Sequence, residues 1–458
     1  MAPKPATWLQ VSGYRFLLAR MECALLGADL RDVNEPIRAP VRSLAAGAVL
    51  AAIAVVAAAA LAVLRPQTTL GNAPIVMGQR SGALYVRVDD TLHPVLNLAS
   101  ARLITATNDD PQPVAESELV TVKRGPLMGI PGAPQFVGPP LTAAETRWTV
   151  CDTDGPNTTV VVGVFDAPGT RRPTLNRLVS ADGGATAYLL YDGRRALVDL
   201  ADTAVVRALR LEGVVAQRVS HTLLNAVPEV PPISAPRISG AGAPGAIAGF
   251  PVGSVLRIAR ADGDEYYVVL ERGVQRVGHV TADLLRLTGA RGVRTILSVA
   301  PDIIRSAPTI DELPVSTFPD QAAAPPDRDN TLCVAWAHPG SGGADVWFST
   351  GDLPIPAGHA AVTLAQSDGD GPALDSVYLP PGRSAYVRAT GLSGQHDDAG
   401  TSYLVTDTGV RFAIPDDDAA ADLGMPPTPI AAPWPVLATL PAGPELSRRN
   451  ALVARDTP

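Results

Sequence analysis

Three hydrophobic patterns follow one another along this chain. The clearest is an uninterrupted apolar run from Leu44 to Leu64, with charged residues only outside it. At about 1.5 Å per residue it makes a helix of about 31 Å, which matches the hydrocarbon thickness of a bilayer. Arg20, Arg31, Arg38 and Arg42 lie close before the run, whereas Arg65 and then Arg80 follow it. The positive-inside rule predicts a single span, with the N-terminus cytoplasmic and the rest of the 458-residue chain outside. A cleaved signal peptide would start sooner and carry a shorter apolar stretch, and a buried soluble helix is seldom apolar on every face over this length.

The second pattern precedes the span. Val11, Tyr14, Leu18, Met21 and Leu25 recur at spacings of three and four, with Arg15, Ala19 and Glu22 away from them. That periodicity predicts an amphipathic helix. Its stripe must be covered, either by lipid headgroups or by a partner's cytoplasmic domain.

The third pattern fills the exterior part and repeats four times. A Tyr-led apolar strand, a polar turn, a second short strand and an Asp- and Ala-rich helical stretch recur with one order. The copies read Leu84-Tyr85-Val-Arg-Val88 with His93 to Asn97; Tyr188 to Tyr191 with Ala196 to Asp199; Tyr266 to Leu270 with Val277 to Val280; and Tyr403 to Val405 with Phe412 to Ile414. A second signature follows in copies two and three, where Val219-Ser220, Leu223-Leu224 and Val227-Pro228 match Val299-Ala300, Ile303-Ile304 and Ala307-Pro308. It predicts a short helix ended by Pro, with Val114-Ala115 and Leu119 as a weaker echo in copy one. Units this small need a common support.

Two strands supply it. Trp148-Thr-Val-Cys151 lies between copies one and two, and Cys333-Val-Ala-Trp336 between copies three and four. Cys23 falls before the span and stays a reduced thiol, whereas Cys151 and Cys333 fall in the oxidising compartment, where one disulfide is expected, two free buried thiols being the alternative. Closing so long a loop stabilises by about 4 to 5 kcal/mol in the chain-entropy model. The predicted fold is α+β: one transmembrane helix, then an elongated, pseudo-twofold domain with a central β core and four small α/β repeats. Its boundaries are 1–43 for the cytoplasmic segment, 44–64 for the span, 65–140 for repeat one, 141–180 for the first core part and 181–236 for repeat two. Then come 237–318 for a linker and repeat three, 319–395 for the second core part, and 396–458 for repeat four with a Pro-rich tail. The Pro-rich stretch Pro228 to Pro251 is expected to join the two halves, with Pro319 to Pro326 a second spacer.

Composition narrows the function. A net charge of −8 and no basic stripe exclude a nucleic-acid surface, and 5% aromatic residues argue against stacked carbohydrate recognition. No Gly-Lys pair exists, so no P-loop does, and Gly340-Ser-Gly-Gly343 lacks the Lys that a phosphate cradle uses. His93, His221, His279, His338, His359 and His396 lack zinc-ligand spacing. Asp152-Thr-Asp154-Gly155, Asp262-Gly-Asp264 and Asp368-Gly-Asp370-Gly371 have the acidic density of calcium loops but not the twelfth-position Glu, and they read as turns. No Gly-x-Ser-x-Gly elbow is present. No catalytic residue, metal site or cofactor is read from the chain.

Several longer strings carry a resemblance. Gln10-Val-Ser-Gly-Tyr-Arg-Phe-Leu-Leu18, Met21-Glu-Cys-Ala-Leu-Leu26, Leu64-Arg-Pro66 and Ala73-Pro-Ile-Val76 resemble the EccB component of actinobacterial type VII (ESX) secretion systems. So do Leu92 to Arg102, Gly129-Ile-Pro-Gly-Ala-Pro134, Leu190-Tyr-Asp-Gly-Arg194 and Tyr403 to Phe412, so that the likeness runs from about residue 7 to the C-terminus. The resemblance implies a periplasmic core flanked by four repeats. It also implies an inner-membrane complex with EccC, the FtsK/SpoIIIE-like ATPase, with EccD, EccE and a mycosin protease, and with further copies of the chain itself. The stripe from Val11 to Leu25 and the Cys151/Cys333 pair are the matching positions. Some family members are described as nucleotide hydrolases, so a periplasmic ATPase is the alternative to a non-catalytic scaffold.

Overall fold

The computed structural model describes residues 7–26, 38–64, 70–165, 176–261, 263–289, 295–322, 330–339, 342–369, 371–394 and 400–456. The chain divides into two units, Met1–Thr69 and Leu70–Pro458. The first holds two helices. Trp8–Leu25 begins at Thr7, whose N–H donates to Gln10 Oε1 at 3.0 Å, a capping-box contact that satisfies one of the donors left open at a helix start. Arg38–Leu64 contains the whole apolar run. Its side chains are described only over 43–58, and among the described residues no helix is long and apolar enough to cross a membrane.

The second unit contains one supersecondary path four times. Three antiparallel strands form a meander; a helix leads to a fourth strand lying parallel to the first; a short helix then returns the chain to the third. In repeat one the strands are Ile75–Gly78, Leu84–Val88 and Thr91–Val95, the helix Leu98–Thr105, the fourth strand Gln112–Val114 and the short helix Glu116–Val120. Repeat two runs Arg177–Ser180, Ala187–Tyr191, Arg194–Val198, helix Thr203–Ala208, Gln217–Arg218 and short helix His221–Asn225. Repeat three runs Val255–Ile258, Glu265–Val269, Val274–Val277, helix His279–Thr288, Leu297–Ser298 and short helix Pro301–Arg305. Repeat four runs Ser384–Thr390, Ser402–Thr406, Arg411–Ile414, helix Asp417–Asp422, Ile430–Pro433 and short helix Trp434–Leu437.

One backbone hydrogen bond marks the return in every copy. The N–H of Leu92, Arg195, Val274 and Arg411 donates to the carbonyl of Lys123, Pro228, Pro308 and Pro441, at 2.9, 2.9, 2.8 and 2.9 Å. Pro suits that position because it stops the short helix while its carbonyl still accepts. The second signature of copies two and three extends to copy four, which carries it at the same spacing in Ala432-Pro433, Val436-Leu437 and Leu440-Pro441, whereas copy one makes the same return through Lys123. The Tyr-led strand is the middle strand of each meander, and the first and fourth strands are additions to the pattern read from sequence. Asp192 and Gly193, with φ of 44° and 70°, make the two-residue turn of repeat two, a left-handed conformation that Asp and Gly adopt at low cost.

Between the repeats lies a sheet ordered Asp345–Thr350, Thr331–Ala337, Trp148–Thr153, Asn157–Val162, Ser376–Tyr378 and Val362–Thr363. Its second and third strands pair antiparallel with Cys151 directly opposite Cys333 and Trp148 opposite Trp336. The short helices of repeats two and four touch each other, and both repeats share one apolar core with this sheet, including Val160, Leu190, Leu223, Val334, Val387 and Leu437.

The outer contacts cross the two halves of the sequence. Helix Leu98–Thr105 of repeat one packs on Asp417–Asp422 of repeat four, and Thr203–Ala208 of repeat two packs on His279–Thr288 of repeat three. The last helix, Arg448–Ala451, also lies on Leu98–Thr105, and Ala454–Arg455 pairs with Leu127–Met128 in the sheet of repeat one. The Pro-rich stretch expected to join the halves is packed. Glu229–Ile233 is a strand beside Arg194–Val198, Ile247 and Val252 are buried, and the Ala246 N–H donates to Leu270 at 3.0 Å.

Candidate functional site

The two sequence halves of the second unit meet at the paired strands Trp148–Thr153 and Thr331–Ala337. Cys151 and Cys333 form a disulfide, and both are fully buried. Trp148 and Trp336 bury their rings in the same sheet, and Trp336 Nε1 donates to the Leu392 carbonyl at 2.9 Å. Period-two alternation explains the arrangement: on each strand the Cys and the Trp, three residues apart, face opposite sides of the sheet.

The residue after Cys151 opens a buried polar network. Asp152 is 2% exposed. Its Oδ2 accepts from the Ser220 N–H at 2.6 Å, and its Oδ1 from the Ser220 hydroxyl at 2.8 Å and the Thr158 hydroxyl at 3.0 Å. Ser220 is also the N-cap of the short helix of repeat two, its Oγ accepting from the Leu223 N–H at 2.9 Å. Thr158 reaches a second buried carboxylate, donating its N–H to Asp375 Oδ2 at 2.8 Å. Asp375 Oδ1 accepts from the Ser367 hydroxyl and from the N–H groups of Asp368 and Gly369.

Environment separates the two acids. Burial pushes the Asp152 carboxyl up to about 6, against the pull of the Ser220 and Thr158 donors and with a further push from the Asp375 charge. Burial also acts upward on Asp375, but its hydrogen bonds, led by the Thr158 N–H, outweigh it and hold the group below the usual carboxylate range. Two cavities flank the network. One of about 320 Å³ is lined by Arg218, Ser220 and His221 with Pro156 and Pro372, and the other, of about 340 Å³, by Thr153, Asp154, Asn157 and Thr159.

The remaining expected residues lie apart. Val11, Tyr14, Leu18, Met21 and Leu25 are exposed on the N-terminal helix, as are Trp8, Leu9, Phe16 and Leu17, so its apolar surface extends beyond the stripe. The Cys23 side chain, Gly340, Ser341, Asp262, Asp370 and His396 lie outside the described residues. Asp154 and Gly155 form the turn between two core strands with φ of 53° and 111°. Among the described residues no group of three His, Cys, Asp or Glu side chains is placed to hold a metal. Sequence reasoning passed over Asp152 as part of a turn. The available signal was a carboxylate inside a β run, beside a Cys already assigned to the core.

Comparison with known proteins places the whole chain. The family model described as "Type VII secretion system ESX-1, transport TM domain B" matches residues 3–458. The protein named ESX-3 secretion system ATPase EccB3 of Mycolicibacterium smegmatis is 37% identical over 473 aligned residues, covering 98% of this chain and 90% of that protein. ESX-5 secretion system ATPase EccB5 of Mycobacterium tuberculosis is 34% identical, covering 99% and 94%. Among solved structures, a chain of an intact ESX-5 inner membrane complex superposes with a TM-score of 0.73 at 33% identity, covering 100% of this chain and 97% of that one. A chain of the EccB3 dimer from the ESX-3 core complex gives 0.73 at 34%, covering 83% and 100%. Repeats, stapled core and whole-length likeness agree: the chain belongs to the EccB family of type VII secretion proteins.

Proposed function

We propose that this chain is a structural membrane subunit of a type VII secretion machine, scaffolding the inner-membrane export complex through which effector proteins leave the cell. The observation that carries this reading is the superposition of the full chain on a subunit of an intact ESX-5 inner membrane complex. One span over 44–64 anchors it, with residues 1–43 cytoplasmic and the unit beginning at Leu70 periplasmic. The sequence supports the anchor, since the apolar run Leu44 to Leu64 has the length a bilayer requires. The stripe Val11, Tyr14, Leu18, Met21 and Leu25 is exposed and apolar, as a docking face for the cytoplasmic side of the complex should be. The partners in this reading are EccC, EccD, EccE, the mycosin protease and further copies of the chain, and the lipid bilayer itself.

The names of the relatives favour a second reading, periplasmic nucleotide hydrolysis. It lacks a phosphate-binding loop in this sequence. Two experiments test the scaffold. Deleting the chain should abolish effector export, and undiminished export would refute the assignment. Protease added outside spheroplasts should remove the repeats and spare the first 43 residues; loss of that segment would overturn the topology.

A further inference from the structure

The buried carboxylates lie where the short helix of repeat two meets the core strand Trp148–Thr153. Asp152 belongs to the stapled strand Trp148–Thr153, and Ser220 starts the helix that docks on it. The other charged and titratable groups around the pair come from each packed element. Asp375 precedes strand Ser376–Tyr378, Asp368 lies in the loop that caps Asp375, and Asp154 is in the adjacent hairpin turn. Arg218 and His221 stand on either side of Ser220 in the cavity wall.

We propose that Asp152, Thr158, Ser220 and Asp375 form a proton-operated latch, in which one proton on the carboxylate pair fastens repeat two to the core and its loss loosens that docking. Two like charges bridged by one threonine in a buried site repel, and a single proton removes the repulsion. The proton belongs on Asp152. Asp375 has four donors from four different residues and stays ionised, whereas two of the three donors to Asp152 are hydroxyls that can turn. Protonated on Oδ1, Asp152 can donate to Thr158 Oγ1, whose own proton goes to the Pro156 carbonyl at 2.9 Å. Every group in the network then keeps a partner. When the proton leaves, a buried charge remains on Asp152 and the docked state loses its advantage.

The sign follows from burial. A carboxyl whose value is higher folded than unfolded contributes stability that is complete below its ordinary value of 3.8 and is lost as pH rises through about 6. Docking of repeat two is therefore tightest in mild acid. With the exterior unit outside the membrane, as in the proposed topology, the latch reads the pH of the external medium; the test below does not depend on that topology.

Amide hydrogen exchange of residues 218–226 in the purified full-length chain in detergent tests the latch. After correction for the intrinsic rate, protection should fall by about tenfold from about pH 5 to about pH 7.5. Asp152→Asn should abolish that dependence. Ser220→Ala removes a donor and should move the transition to higher pH; Asp375→Asn removes a like charge and should move it lower. His221→Gln controls for the imidazole beside Ser220 and should leave the transition in place. The same pH dependence in the chain and in Asp152→Asn would overturn the latch. If that variant does not fold, transitions unmoved by both Ser220→Ala and Asp375→Asn would overturn it equally.

Discussion

Repeat two and repeat four bring the same short helix into one apolar core with the central sheet, yet the helix of repeat two is bonded to that sheet through a buried carboxylate, whereas that of repeat four begins in an aromatic stack within its own repeat. In repeat two, Ser220 caps the helix and binds Asp152. In repeat four the equivalent position is Pro433, followed by Trp434, and Arg411 lies 5.4 Å from the Trp434 ring and 5.6 Å from that of Tyr403. Repeat two keeps half of this stack, with Arg195 5.3 Å from Tyr188. The backbone path is thus set by apolar spacing and the returning carbonyl, while the fastening chemistry is free to differ. Apolar and cation–π contacts hold at any physiological pH, whereas a buried acid makes docking adjustable.

The strongest way to break the comparison is to remove what both repeats share. Cys151→Ser should lower stability by about 4 kcal/mol, less any residual structure in the unfolded chain, measured as the loss in thermal midpoint under oxidising conditions. The two sequence halves should nevertheless stay together, because repeat one packs on repeat four and repeat two on repeat three across them. Separation into two halves in limited proteolysis would contradict that interlocking.

Leu223→Ala and Leu437→Ala, both fully buried in the shared core, should each cost about 2 to 5 kcal/mol, and by similar amounts. A much smaller loss at one site, in matched denaturant titrations, would show that the two dockings are not equivalent. The hairpin tips sharpen the point. A Cβ on Gly193 would overlap the Val346 carbonyl oxygen, and one on Gly409 would overlap the Val377 side chain, so the tips press on strands toward opposite edges of the core sheet. Both glycines also have positive φ, 70° and 80°. Gly193→Val and Gly409→Val should each destabilise by about 1 to 3 kcal/mol, with Gly193 worse because it meets rigid backbone.

Trp434→Ala should cost about 1 kcal/mol, since Trp434 is 42% exposed and its stack with Arg411 is partly solvated. Its effect should not vary between pH 5 and 7.5, unlike any change at Asp152. The smallest effect is expected at Glu145, whose carboxyl is held at about 2 by the Thr142 N–H and by Arg383 of repeat four. Its contribution is present above the ordinary value of 4.5 and lost as pH falls through about 2. Being half-exposed, Glu145→Gln should cost less than about 1 kcal/mol in a neutral-pH melt.

Much of this fold is legible in the sequence because its signals are local. The Tyr-led strands, the Asp-Gly turn at 192–193 and the Pro after the short helices of repeats two, three and four all act within a few residues. The Cys151/Cys333 pair could be inferred because compartment and β context agreed. The first strands of repeats one to three, such as Arg177-Leu-Val-Ser180, have four residues and are too short to declare themselves, and the fourth strand of repeat two has two residues. The crossing of repeats between halves depends on helix faces that meet only after the chain has folded. Asp152 was hidden for a related reason: a carboxylate in a hairpin reads as solvent-facing unless the segment that covers it, here Ser220 some seventy residues away, is known.

The central claim is that this chain is a working part of a membrane export complex, and its most direct test is co-purification. Tagged full-length chain extracted from its native membrane in mild detergent, with mass spectrometry of what accompanies it, should bring down an FtsK-like ATPase and other membrane subunits. Tyr14→Glu with Leu18→Glu should lose the cytoplasmic partner while the chain remains in the membrane. Recovery of the chain alone from intact membranes would contradict the account.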